Sequence, residues 1–122
     1  MPHIMVVHDE QEVRDPLITA LRADGHEVSA FDRSIPAWDA LTPECAADLL
    51  ITRVRFPDGP HGVAPARRAH MNRKHIHVLF VASPEMERYT DGLGVLSPTP
   101  TSPLRVTELA AGMLQWKNEA AA

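Results

Sequence analysis

Asp48-Leu49-Leu50-Ile51-Thr52-Arg53-Val54-Arg55-Phe56-Pro57 is the stretch from which the fold is read. Leu49, Leu50, Ile51 and Val54 form an apolar run too short for a helix. Such a run suits a strand buried on both faces, as in a parallel sheet. Pro57-Asp58-Gly59-Pro60 then supplies turn chemistry. In open α/β sheets, ligands sit just beyond the C-terminal ends of the strands. Arg53 falls at that end, so a permanent positive charge stands where chemistry is usually done.

On the N-terminal side, His3 to Val7 reads as a short buried strand. Asp9 is expected to cap the helix that follows, with Glu12 as its capping-box partner. Val13, Leu17, Ala20 and Leu21 recur at helical spacing, and Gly25 stops the helix. Pro16, inside it, should kink it. His26 to Phe31 reads as a second strand. Ser34 to Leu41 reads as a short helix capped by Ser34, with Trp38 on one face.

On the C-terminal side, Val63 to Met71 is expected to be helical, although Pro65 puts its start in question. His75 to Ala82 is a fourth strand, and Leu93 to Leu96 a small fifth one. Ser83 to Thr90 is a short helix or irregular turn, and Pro98 to Pro103 a loop. Leu104 to Trp116 is the last helix, with Leu109, Met113 and Trp116 as its expected inner stripe. Strands alternating with helices imply βαβ units and a parallel sheet. The expected fold is a single doubly wound α/β domain, residues 1–122 with a core of about 3–117, in the flavodoxin-like strand order 2-1-3-4-5.

A chain of 122 residues can bury a real core, roughly two-thirds of its unfolded surface. Its net charge of -4 argues against a nucleic-acid partner. Cys45 is the only cysteine, which excludes a disulfide framework or a cysteine-rich zinc site. No apolar run approaches the ~20 residues needed to span a membrane, and no signal-peptide pattern opens the chain. A cytoplasmic setting is the expectation.

Three segments resemble the response-regulator receiver (CheY-like) family at its usual spacing. They are Ile4 to Arg14, Leu21-Arg22-Ala23-Asp24-Gly25-His26-Glu27-Val28, and Asp48 to Pro57. The resemblance implies a signalling role in a two-component pathway, yet the positions that would perform phosphotransfer depart from the pattern. Where receivers place two Mg²⁺-holding acids, this chain has His8 and Asp9. The phosphoacceptor aspartate is replaced by Arg53. The hydroxyl residue that ends the fourth strand is replaced by Ala82, with Ser83 beside it. Thr99-Pro100 stands in place of Lys-Pro, and Leu96 in place of the aromatic switch residue.

Receiver phosphorylation needs a carboxylate nucleophile and a divalent cation, and Mg²⁺ prefers carboxylate oxygens in octahedral geometry. Here Arg53 cancels Asp9, and His8 is neutral near pH 7. A guanidinium neither accepts a phosphoryl group nor ligates metal. The expectation is a pseudo-receiver, not an enzyme, needing no cofactor and acting through protein contacts without phosphorylation at the usual position. Arg53 would substitute for the metal through a bidentate bond to Asp9; the plainer reading leaves Arg53 pointing into solvent.

The expected partner is a signalling protein, either a histidine kinase or an output protein, and a homodimer is left open. The family resemblance places the candidate contact face around Tyr89, Leu96, Pro100 and Arg105. The alternatives are phosphotransfer through Asp9 or Asp58, and a small metal-binding module. For the latter, His75 and His77 would share a strand face, with His61 and His70 before them. Two such ligands do not make a zinc site, and no metal is expected, since Asp9 alone matches a family Mg²⁺ ligand. The basic run Arg67 to Lys74 reads as a solvated helix end. The acidity of His8-Asp9-Glu10-Gln11-Glu12 argues against a phosphate or flavin site after the first strand.

Overall fold

The computed structural model describes residues 2–56, 63–72 and 75–121, with backbone alone for 116–121. Pro57, Asp58, His61, Arg73, Lys74 and the Trp116 side chain therefore lie outside the described residues.

The strands are β1 (His3–Val7), β2 (Glu27–Phe31), β3 (Leu49–Thr52), β4 (His77–Ala82) and β5 (Val95–Pro98). All pair in parallel, in the order β2-β1-β3-β4-β5. The helices are α1 (Gln11–Ala23), α2 (Ser34–Ala40), α3 (Val63–Asn72), α4 (Glu87–Thr90) and α5 (Pro103–Ala121), and a 3-10 turn at Pro84–Met86 leads into α4.

Alternation along the strands divides the core in two. Met5, Val7, Leu50, Val78 and Phe80 pack with Ala37 and Leu41 near α2, and with Val63, Ala66 and Ala69 of α3. Ile4, Val6, Leu49, Ile51, Leu79 and Val81 pack on the other face with Leu17 and Leu21 of α1 and Val106, Ala110 and Leu114 of α5. Burying both faces is why these strands are almost wholly apolar. Asp48 anchors the N-terminal edge: its carboxylate accepts the His3 N–H at 3.0 Å, and its carbonyl accepts that of His77 at 3.2 Å.

Local chemistry departs from the sequence reading at the starts of α1 and α2 and agrees with it at Gly25. Helix α1 is preceded by Glu10, with no side-chain cap, because Asp9 is engaged elsewhere. Pro16 sits on the exposed side, and α1 continues through it to Ala23. Its end is a Schellman turn: Gly25, at φ +89°, donates to Arg22 O at 3.0 Å, and His26 to Leu21 O at 3.3 Å. Ser34 lies within α2 rather than capping it. Pro65 falls in the first turn of α3, where helix N–H groups have no intrahelical acceptor.

Strand β5 starts two residues later than expected, since Leu93 and Gly94 close a turn by donating to Thr90 O. The inner stripe of α5 is Val106, Ala110 and Leu114, with Leu109 and Met113 flanking it. Two large apolar side chains lie outside the core: Met71 is 81% exposed, and Trp38 lies under the Arg68 guanidinium at 3.9 Å.

Gly94 faces β4 so closely that an added Cβ would overlap the Val78 carbonyl, whereas nothing lies within 4 Å of one added at Gly112 on α5. Gly94→Ala is expected to cost about 1–3 kcal/mol, and Gly112→Ala to add about 0.5–1 kcal/mol. Urea unfolding should therefore move the two midpoints in opposite directions. A Gly94→Ala variant as stable as the parent would show that β5 does not pass β4 this closely.

Candidate functional site

Strand register places the candidate residues together. Val7 pairs with Thr52, Thr52 with Phe80, and Ala82 with Pro98. The next residues along, His8, Arg53 and Thr99, thus emerge at one edge, where they line a cleft of ≈ 470 Å³ with Ala82, Ser83, Arg55 and Thr101. The Thr99 N–H donates to Ala82 O at 2.9 Å, and the Thr99-Pro100 bond is cis.

His8 is 6% exposed and pinned from three sides. Its N–H donates to Phe31 O at 3.0 Å, and its carbonyl accepts from Arg14 Nη1 at 2.8 Å. Its Nδ1 accepts the Glu10 N–H at 3.1 Å. The ring thereby does for the start of α1 what a capping side chain would have done. An Nδ1 that accepts carries no proton, so its 3.8 Å separation from Asp9 Oδ1 is not an ion pair. Burial, then the Arg53 charge, pushes the imidazole below its usual 6.5 despite the opposing pull of Asp9 and Glu10.

Arg53 Nη1 donates to Asp9 Oδ1 at 2.6 Å and reaches Glu10 Oε1 at 3.4 Å. The expected bidentate bond is thus a single nitrogen shared between two carboxylates. Burial alone would raise the Asp9 carboxyl, but the Arg53 hydrogen bond and charge outweigh it and hold it below 3.8. The Arg53 side chain is 30% exposed, so water screens the pair. A coupling of about 1 kcal/mol is appropriate, well short of a fully buried pair.

The residues do not fit Mg²⁺. One Asp9 oxygen is held by a guanidinium, the His8 Nδ1 is occupied by a backbone N–H, and the Arg53 charge would repel a cation. Among the described residues, no three of His, Cys, Asp and Glu converge as metal ligands. His75 precedes β4 and does not share a strand face with His77; the His70 ring bonds Leu93 O at 2.6 Å.

On the candidate contact face, Tyr89 is 36% exposed, Pro100 is exposed, and Arg105 pairs with Glu108 at 3.9 Å. Leu96 instead packs partly into the core. Arg14, Arg55 and Thr101 were not singled out from sequence. Arg14 lies a full turn into α1, and no local motif marks it as the residue that holds His8.

No protein-family model matches the chain. The response regulator receiver protein CpdR of Brucella abortus is 30% identical over 81 residues, 66% of each chain and so just under two thirds of that protein's length. A receiver domain protein (CheY-like) from Methanospirillum hungatei superposes with TM-score 0.87 at 19% identity, covering 98% of both chains. A receiver protein from Sinorhizobium medicae gives 0.86 at 19%, covering 95% of this chain and 96% of that one. NtrX from Brucella abortus gives 0.85 at 19%, covering 99% of this chain and 28% of that one.

The low His8 pKa has a definite sign. The unfolded chain binds the His8 proton more readily than the folded chain, so stability falls as pH drops below about 6.5. Asp9 adds a second loss of the same sign below 3.8. Urea unfolding of the parent at pH 7 and pH 5 should show the first loss, and His8→Asn, which can still accept the Glu10 N–H, should lessen it. An unchanged pH slope in His8→Asn would contradict the assignment.

The chain is thus a domain of the CheY-like receiver fold, with sequence likeness to a response-regulator receiver protein.

Proposed function

We propose that this domain is an atypical receiver in a two-component pathway, acting through protein contacts without phosphorylation at the usual strand end. The observation that carries this reading is the Arg53–Asp9 contact of 2.6 Å. It supports the reading because a guanidinium is no nucleophile and because it engages Asp9, the residue that matches a Mg²⁺ ligand. Ala82 has no hydroxyl to report a phosphoryl group, and Thr99 has no ammonium to hold one.

The pair acts as a fixed brace between the ends of β1 and β3, with Arg53 standing in for the metal ion. His8 continues the brace into α1 through its hold on Glu10. The partner surface consequently needs no phosphoryl trigger. It lies around α4, β5 and the start of α5, where Tyr89, Val95 and Leu104 are exposed. The partner would be a signalling protein, either a kinase or an output protein. Among the described residues no helix is long and apolar enough to cross a membrane.

Incubation with acetyl phosphate and Mg²⁺, followed by intact-mass analysis, tests the reading. No alkali-labile phosphate adduct is expected. An adduct mapped to Asp9 or Asp58 would overturn it and assign phosphotransfer through a different carboxylate.

A further inference from the structure

Beyond the Arg53 brace, two other arginines converge on one oxygen. Arg88 Nη2 donates to the Tyr89 hydroxyl at 2.8 Å, and Arg55 Nη2 lies 3.5 Å from the same atom. Both guanidiniums also stand over the Tyr89 ring, at 4.8 and 5.5 Å from its centroid. Their Nη2 atoms are therefore no further apart than those two bonds laid end to end.

Like charges this close normally have a carboxylate between them. Arg14, Arg33, Arg53 and Arg105 each pair with Asp or Glu. Among the described residues, Arg22, Arg55, Arg67, Arg68 and Arg88 do not, and of these Arg55 and Arg88 meet at one oxygen. The Tyr89 phenol is pulled below its usual 10.0 by the hydrogen bond and charge of Arg88 and then by Arg55, as an excess of positive charge requires. Arginine has donors and no acceptor; the phenol oxygen accepts from both and keeps its O–H to give. The cluster is a set of donors without an anion. Arg55 also lines the cleft, beside the hydroxyl-bearing Ser83, Thr99 and Thr101.

We propose that Arg55, Arg88 and Tyr89 form a non-covalent binding site for a phosphate monoester at the mouth of the cleft. A dianion matches two guanidiniums. A tetrahedral group presents three oxygens to donors that arrive from different directions, whereas a carboxylate is satisfied by a single guanidinium fork. The site needs neither metal nor a nucleophile, and so stands apart from the reading of Arg53. The ester is either a free small molecule or a phosphorylated side chain of a partner.

The test is an NMR titration of the full chain, followed at the arginine Nε–H signals and the Tyr89 ring. It is run in EDTA at constant ionic strength, with inorganic phosphate in one arm and a phosphoserine peptide in the other. Saturable shifts at Arg55, Arg88 and Tyr89 are expected, with affinity falling about tenfold or more in Arg55→Gln and in Arg88→Gln. Both side chains are on the surface, and circular dichroism will show that the variants fold. A peptide that binds at least tenfold tighter than phosphate identifies a partner as the source; comparable affinities identify a free ligand. Shifts reproduced by chloride, or an affinity unchanged in the double variant, would overturn the site. Because EDTA excludes Mg²⁺ and no covalent adduct is involved, this outcome is separable from acyl-phosphate labelling.

Discussion

A guanidinium held 2.6 Å from a carboxylate determines what the C-terminal edge of this sheet can do. The receiver fold brings the ends of β1 and β3 side by side, and whatever side chains stand there must balance one another's charge. Three acids would repel one another and call for a divalent cation to hold them. Here Arg53 lies between Asp9 and Glu10 and offsets their charge without an ion. The edge therefore carries a guanidinium shared between Asp9 and Glu10 rather than a cluster of unneutralised acids.

The rest of the edge is consistent with that arrangement. His8 is buried, its Nδ1 accepts a backbone N–H, and burial holds its pKa below the usual 6.5. Arg14 crosses from α1 to hold the His8 carbonyl at 2.8 Å. The result is a short polar network running from Arg53 through Asp9 and Glu10 into the first helix. Its members are bonded to neighbours in the chain, so the local geometry is maintained without a ligand.

Much of the fold was legible in the sequence because parallel strands buried on both faces leave an unmistakable apolar run. The three inner strands, Ile4 to Val7, Leu49 to Ile51 and Val78 to Val81, are of this kind. The site was legible because it lies at strand ends in register, so element order alone brought His8, Asp9, Arg53, Ala82 and Thr99 to one edge. What could not be read depended on contacts between elements. Asp9 has the chemistry of a helix cap, and only the arrival of Arg53 from β3 diverts it. Helix α5 is apolar around much of its circumference, so its inward phase was ambiguous between Leu109-Met113 and Val106-Ala110-Leu114. Leu93 suits a strand, yet it packs against the core from a turn closed on Thr90 O, next to the close pass of Gly94 by Val78. The Arg55–Tyr89–Arg88 cluster joins residues far apart in the chain, and no motif announced it.

A Mg²⁺ titration followed by amide-resolved NMR tests whether Arg53 does at this edge what a metal ion would do. The signals of Asp9, Arg53 and Ala82 are expected to remain still at millimolar Mg²⁺ in the parent. In Arg53→Asp, which restores a second carboxylate beside Asp9, the same signals should shift and saturate. Saturable shifts of these residues in the parent would contradict the account, because a divalent cation would then be entering an edge that the guanidinium is held to fill.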